Sequence, residues 1–186
     1  MNLGVALAGG AGNRRADDFY PTPPEATLAL IQVAWPYIGH VIHEPACGDG
    51  AMARVLQMNG YDVIATDLVY RGYGQGGVDY LSGPSLAKNV ITNPPFKLAA
   101  RFIEHALAQQ PSFFAVLLKA SFWNANARAD LLDREPPRLT MPLTWRLDFT
   151  GGGAPTMDCT WFAWDSAVPR GLPPVPLRKP NMGAFA

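Results

Sequence analysis

The chain has few cysteines, few charges and no long apolar run. Two cysteines in 186 residues, Cys47 and Cys159, cannot build a disulfide framework and lack zinc-site spacing, which points to a reducing compartment. No stretch is long and apolar enough to span a bilayer. The apolar opening, Leu3 to Ala8, is followed rather than preceded by Arg14 and Arg15, the wrong order for a signal peptide. Charged residues are only 16% and hydrophobic residues 48%, which excludes wholesale disorder and suits one domain with a real core. Three histidines, His40, His43 and His105, fall on separate elements, so packing or surface roles outweigh catalysis for each.

Net charge is zero but unevenly spread. Residues 1–87 carry 4 Lys/Arg against 8 Asp/Glu, and residues 88–186 carry 11 against 7. An acidic half suits a cationic ligand and a basic half a phosphate backbone, although solvated charges sorted by chance would look the same.

Proline and glycine are plentiful, with 18 of each, and they punctuate the chain. Residues 1–17 are rich in small residues without periodicity and read as a mobile arm. Thr22-Pro23-Pro24-Glu25 predicts a helix start, with Thr22 as N-cap and Glu25 completing a capping box. Strands are predicted at Val41–Glu44, Tyr61–Thr66, Lys88–Thr92 and Phe113–Leu118. Helices are predicted over Ala51–Met58 and 97–109, with another running from Ser121 toward Asp133. Two further strands, near 143–149 and 158–164, flank Thr150-Gly151-Gly152-Gly153-Ala154-Pro155 and suggest a hairpin with a long connection. Trp123, Trp145, Trp161 and Trp164 read as packing residues. The tail from Ala167, dense in proline, is expected to be extended or disordered. The division is therefore an arm (1–17), a catalytic domain (18–166) and a tail (167–186). Strands alternating with helices imply a three-layer α/β fold, mainly parallel, with an antiparallel pair at one edge.

Asn93-Pro94-Pro95-Phe96 closes the strand at 88–92. Neither proline can donate to a ladder, and the residue before a proline is driven toward extended backbone. Such a step can simply start a turn; equally, it makes a stiff platform of acceptors beside an aromatic ring. In a parallel sheet ligands gather at the carboxyl ends of strands. Glu44-Pro45-Ala46-Cys47-Gly48-Asp49-Gly50 lies there, and its carboxylates would repel phosphate. Asp67, about 20 residues on, is placed to hold ribose hydroxyls, and Asp79 to accept from an adenine amino group. A cationic nucleoside without phosphates fits this set, and S-adenosylmethionine meets that description.

In this order, Thr22-Pro23-Pro24, Glu44 through Gly50, Asp67, Asp79-Tyr80 and Asn93-Pro94-Pro95-Phe96 resemble the class I S-adenosylmethionine-dependent DNA amino-methyltransferases of adenine-N6 type. The stretch from Phe149-Thr150-Gly151-Gly152 to Trp161-Phe162-Ala163-Trp164 is similar to small enzymes of phages and prophages. The resemblance covers roughly residues 18–165. It implies a Rossmann-like, seven-stranded sheet and a cytoplasmic enzyme of a bacterial or phage-infected cell. It implies that Thr22, Pro23, Glu44, Ala46, Cys47 and Gly48 lie along the methionine part of the cofactor. Asp67 would hold the ribose, and Asp79 with Tyr80 the adenine ring. Asn93, Pro94, Pro95 and Phe96 would form the catalytic turn, with Phe96 and Phe149 stacking on a flipped base. Lys97 and Arg101, one turn apart, are placed to meet DNA phosphates, and Arg128 could do the same or lie on a solvated face.

Other substrates share the Asn-Pro-Pro turn: cytosine N4 in DNA, guanine N2 in ribosomal RNA and protein glutamine. A non-catalytic nucleotide-binding scaffold is the alternative from another class. No segment is long enough for a separate target-recognition domain. Recognition is therefore expected from the arm, residues 121–140, the glycine loop or the tail, with a short or relaxed target or the help of a homodimer.

Overall fold

Side-chain alternation along one strand sets the layering. Residues of β4 (Phe113–Lys119) point to opposite faces in turn. Phe113, Ala115 and Leu117 enter a core with Leu30, Met52 and Leu56, while Phe114, Val116 and Leu118 enter a second core with Phe102, Ile103 and Leu131. Both faces of the strand are buried, and this explains its unbroken apolar run. The computed structural model describes residues 19–184; the expected arm at 1–17 lies outside them.

The first core is covered by α1 (Pro24–Ala34) and α2 (Ala51–Met58), the second by α3 (Ala99–Ala108) and α4 (Ala129–Arg134). Between them lie β1 (Val41–Glu44), β2 (Asp62–Ala65), β3 (Asn89–Thr92), β4, β5 (Leu139–Pro142) and β6 (Cys159–Asp165). The sheet order is β2-β1-β3-β4-β6-β5. The first four strands are parallel; β6 runs antiparallel to both β4 and β5. The chain leaves β1 for β2 on one side and later returns to β3 on the other, which makes the crevice between β1 and β3 a topological switch point.

Four expectations need correcting. The described residues hold six strands, not seven. The stretch between β2 and β3 forms turns, with one isolated parallel bridge from Thr66 to Gln75. Gly74 explains part of this: its φ is +64°, and a Cβ there would lie 2.6 Å from the Ala65 carbonyl oxygen. The first hairpin strand is Leu139–Pro142, ahead of the predicted 143–149 segment, which contributes only bridges at Leu143 and Leu147. The helix expected from Ser121 is reduced to a 3-10 turn at Asn126–Arg128 followed by α4; Ser121, Asn124 and Asn126 favour turns and caps over a helix interior. Thr22 does not cap α1, which begins after Pro23 with no side-chain cap.

The tail is extended but packed. Val175 and Leu177 donate backbone N–H groups to Thr140 and Pro142 of β5, and Val168 and Leu177 are each 1% exposed. The donors alternate with Pro174 and Pro176, which stand where no N–H is called for. A Pro-X-Pro-X segment thus covers the β5 edge and offers no N–H of its own at the proline positions.

A buried histidine ties β1 to this scaffold. His43 is 1% exposed; its Nδ1 accepts from the Leu86 N–H at 3.2 Å, so Nε2 carries the proton and faces Thr66 Oγ1 at 2.9 Å. Burial lowers its pKa from 6.5 to about 4. The fold therefore favours the neutral ring. The resulting stability is complete above pH 6.5 and is lost as pH falls toward 4. A shift of this size corresponds to about 3 kcal/mol. Urea denaturation at pH 7, 5.5 and 4 is expected to show that loss, with a shallower dependence in His43→Gln; equal slopes would contradict it.

Candidate functional site

A cavity of about 540 Å³ opens at the carboxyl ends of β1, β2 and β3. Its volume falls within the usual range for small-molecule sites. Glu44 ends β1, Asp67 follows β2 and Asn93 follows β3. All three line the cavity, together with Thr22, Ala46, Cys47, Asp49 and Pro94 through Lys97. Phe19, Tyr20 and Arg71, which the sequence patterns do not single out, line it as well.

The glycine turn after β1 is pinned by Asp67. Its Oδ2 accepts from the Gly48 N–H at 2.8 Å and its Oδ1 from the Val69 N–H at 2.9 Å. Each oxygen retains a second acceptor site. Gly48 has φ +57°, and a Cβ there would fall 2.2 Å from the Phe19 ring, so both backbone and neighbour demand glycine. The Phe19 ring in turn lies 4.5 Å beneath the Arg71 guanidinium.

Glu44 is 2% exposed, and its Oε2 has no hydrogen-bond partner. Burial raises its pKa well above the usual carboxylate range, and the Asp67 carboxylate adds to the rise. A cation entering the cavity would oppose both effects. The Cys47 thiol, beside it, is pushed up to about 12 by burial and by Glu44. It is therefore a thiol and not a nucleophile.

The Asn93 amide is oriented by two acceptors. Its Nδ2 donates to Thr22 Oγ1 at 3.1 Å and to the Tyr20 carbonyl at 3.4 Å. A carbonyl can only accept, which fixes nitrogen on that side. Oδ1 is buried and has no partner. Beyond it, Phe96 stacks with Tyr20 at 5.9 Å and meets Phe149 edge-on at 6.5 Å, while Tyr20 meets Phe149 at 5.8 Å. The Lys119 ammonium lies 4.9 Å above Phe96. Phe149 is held next to an ordered turn, because the Asp148 carboxylate accepts from the N–H groups of Thr150, Gly151 and Gly153.

Not every candidate gathers here. Pro23 and Gly48 flank the cavity wall. Asp79 is exposed, and its carboxylate caps its own turn through the Leu81 N–H. Tyr80 is 3% exposed and packs in the second core against His43, Phe102 and His105, with its hydroxyl on Ser85. An adenine contact would require that ring to leave the core. Arg101 is exposed on α3. Arg128 is engaged locally, donating to the Phe122 carbonyl and lying 4.3 Å over the Phe122 ring.

Comparison of the structure with solved ones is informative. An RNA methyltransferase candidate from Pyrococcus horikoshii superposes with a TM-score of 0.59 at 15% identity, over 78% of this chain and 85% of that one. The type I restriction-modification system methyltransferase subunit from Streptococcus thermophilus gives 0.57 at 13% identity, over 78% of this chain. The 23S rRNA methyltransferase ErmE gives 0.54 at 11% identity, over 81% of this chain and 71% of that one.

The chain has the Rossmann-like methyltransferase fold.

It spans only 44% of the Streptococcus thermophilus subunit. No protein-family model and no curated sequence matches the chain. The cavity lies where the glycine turn, the acid after β2 and the Asn-Pro-Pro turn converge. No helix among the described residues is long and apolar enough to cross a membrane.

Proposed function

We propose that the protein transfers a methyl group from S-adenosylmethionine to the exocyclic amine of an adenine flipped out of DNA. The observation that carries this reading is Asn93 Oδ1, a buried acceptor without a partner in the wall of a cavity shared with Glu44, Asp67 and Phe96.

The residues present fit the cofactor. Glu44 Oε2 is also without a partner, and a buried acid favours a cationic ligand. Asp49 and Asp67, close to the same turn, disfavour a phosphate-bearing one. Pro23, Ala46, Cys47 and Gly48 would lie along the cofactor, with Asp67 toward its ribose. When bound, it supplies an electrophilic methyl group on sulfur.

The chain's own part is to prepare the amine. The adenine amino lone pair is delocalised into the ring and attacks poorly. Asn93 Oδ1 and the Pro94 carbonyl accept its two N–H groups, which favours a pyramidal nitrogen with an available lone pair. These acceptors act by preorganised position and electrostatics, and no base of matched pKa is needed. Extrusion of the base costs a few kcal/mol, partly offset by stacking on Phe96 and its aromatic neighbours at about 1–3 kcal/mol per base. Lys97 at the cavity, with Lys119 and Arg101 nearby, would meet phosphates. The turn after Phe149 and the 121–140 segment would supply a short or relaxed target preference.

The test incubates protein and methyl-labelled S-adenosylmethionine with unmethylated DNA and, separately, with ribosomal RNA, because fold relatives include an rRNA methyltransferase. Digested nucleosides are then separated. N6-methyladenine from DNA supports the reading; label found only in RNA or protein rejects it.

A further inference from the structure

We infer that Thr22 is a positioning residue, whose hydroxyl oxygen holds the Asn93 amide so that Oδ1 faces the cavity. The inference rests on the methyl-transfer reading and assigns Thr22 a task other than touching the cofactor. Thr22 is 6% exposed, so its hydroxyl has little access to water. It stands at the head of α1, where a threonine would ordinarily bond an N–H of the first turn. Here α1 begins after Pro23, so Thr22 lies one residue outside the cap position, and the helix has no side-chain cap. The hydroxyl oxygen is thus not engaged by its own helix. It accepts instead from Asn93 Nδ2, 71 residues away.

The Tyr20 carbonyl, which can only accept, selects this orientation, and the Thr22 contact helps to hold it. A half-turn of the amide would exchange Oδ1 and Nδ2 at little intrinsic cost, since the two ends have nearly the same shape. It would then set Oδ1 against the Tyr20 carbonyl, oxygen facing oxygen. The Tyr20 contact is long, at 3.4 Å, and the Thr22 contact of 3.1 Å is the better formed of the two. The head of α1 is itself held in place. Trp161 Nε1 donates to the Ala26 carbonyl at 2.9 Å, in the first turn of the helix that follows Thr22. The acceptor for the substrate amine is thus aimed by a residue on another element, and its precision depends on the α1–β6 contact.

The discriminating pair of variants is Thr22→Val, which keeps the shape and loses the acceptor, and Thr22→Ser, which keeps the acceptor. Two readouts are needed. In single-turnover methylation of DNA at saturating S-adenosylmethionine, Thr22→Val is expected to slow the rate roughly 10- to 100-fold with the cofactor Kd changed less than about 3-fold, while Thr22→Ser stays near the parent. In ¹⁵N-labelled protein the Asn93 side-chain amide protons should exchange with solvent at least about 10-fold faster in Thr22→Val than in the parent or Thr22→Ser. Unchanged exchange in Thr22→Val overturns the inference. So does a defect that disappears when cofactor is raised to saturation, because Thr22 would then be a cofactor contact. If the parent methylates no DNA while exchange responds as expected, the positioning contact stands and the DNA reading alone falls.

Discussion

Asn93→Ala is expected to lower the single-turnover rate of methyl transfer by roughly 10²- to 10³-fold, the scale on which a preorganised hydrogen-bonding group contributes at a reacting centre. Cofactor affinity and thermal unfolding should change little by comparison. The two ends of the amide differ in what they leave behind. Oδ1 has no protein partner to lose, so its removal leaves nothing stranded. Nδ2 leaves behind Thr22 Oγ1 and the Tyr20 carbonyl, which are acceptors beside a cavity that water can enter. Asn93→Asp provides a sharper comparison. It keeps an acceptor on the cavity side but sets a second, charged oxygen against the Tyr20 carbonyl, so it is expected to be slow as well. A rate within a few-fold of the parent for Asn93→Ala, measured with binding and melting curves as controls, would remove Asn93 from the chemistry and with it the proposed reaction.

Trp161→Ala should produce the largest loss of stability. The ring is fully buried near the middle of β6, inside the core formed with α1, α2, β4 and β5. Truncation of a buried tryptophan costs roughly 3–5 kcal/mol, and the cavity left among strands paired on both sides can collapse only in part. The Ala26 carbonyl also loses the indole N–H. For a domain of this size that corresponds to a fall in Tm of about 10 °C or more. Trp161→Phe, which restores most of the volume without the donor, should recover most of the stability. If it still methylates slowly at a temperature where it is folded, the α1 anchor bears on the site as well as on the fold. A drop in Tm of a degree or two for Trp161→Ala would show that β6 does not anchor α1 as described.

Much of this architecture was legible in local pattern. Phe113–Leu118 could only be a strand buried on both faces, and the small residues after Glu44 could only be a tight turn. The parallel pairing of β1 with β2 and of β3 with β4 follows from the helix between the members of each pair, since a parallel pair needs a crossover. The segment between Asp67 and Lys88 was less legible. Val78 and Tyr80 alternate with polar residues as a strand would, yet the glycines before them make turns and Tyr80 fills a core beside His43 and His105. The tail is extended, as its prolines suggest, but its packing was not legible. Proline content alone leaves extended and disordered chain undivided, whereas Pro174 and Pro176 occupy alternate positions and leave Val175 and Leu177 to pair with β5.

The sequence by itself determined the strand-turn-helix grammar, the rigid bend at Asn93-Pro94-Pro95 and the gathering of acids at strand ends. These follow from φ/ψ limits and side-chain period, which act over a few residues. Only the tertiary structure decided which end of the Asn93 amide faces the cavity, that Tyr20 joins Phe96 and Phe149, and that Thr22 serves Asn93 rather than its own helix. Those outcomes depend on partners 71 and 73 residues apart, brought together by burial of the sheet and α1. No local propensity specifies such a pairing; packing of the whole core does.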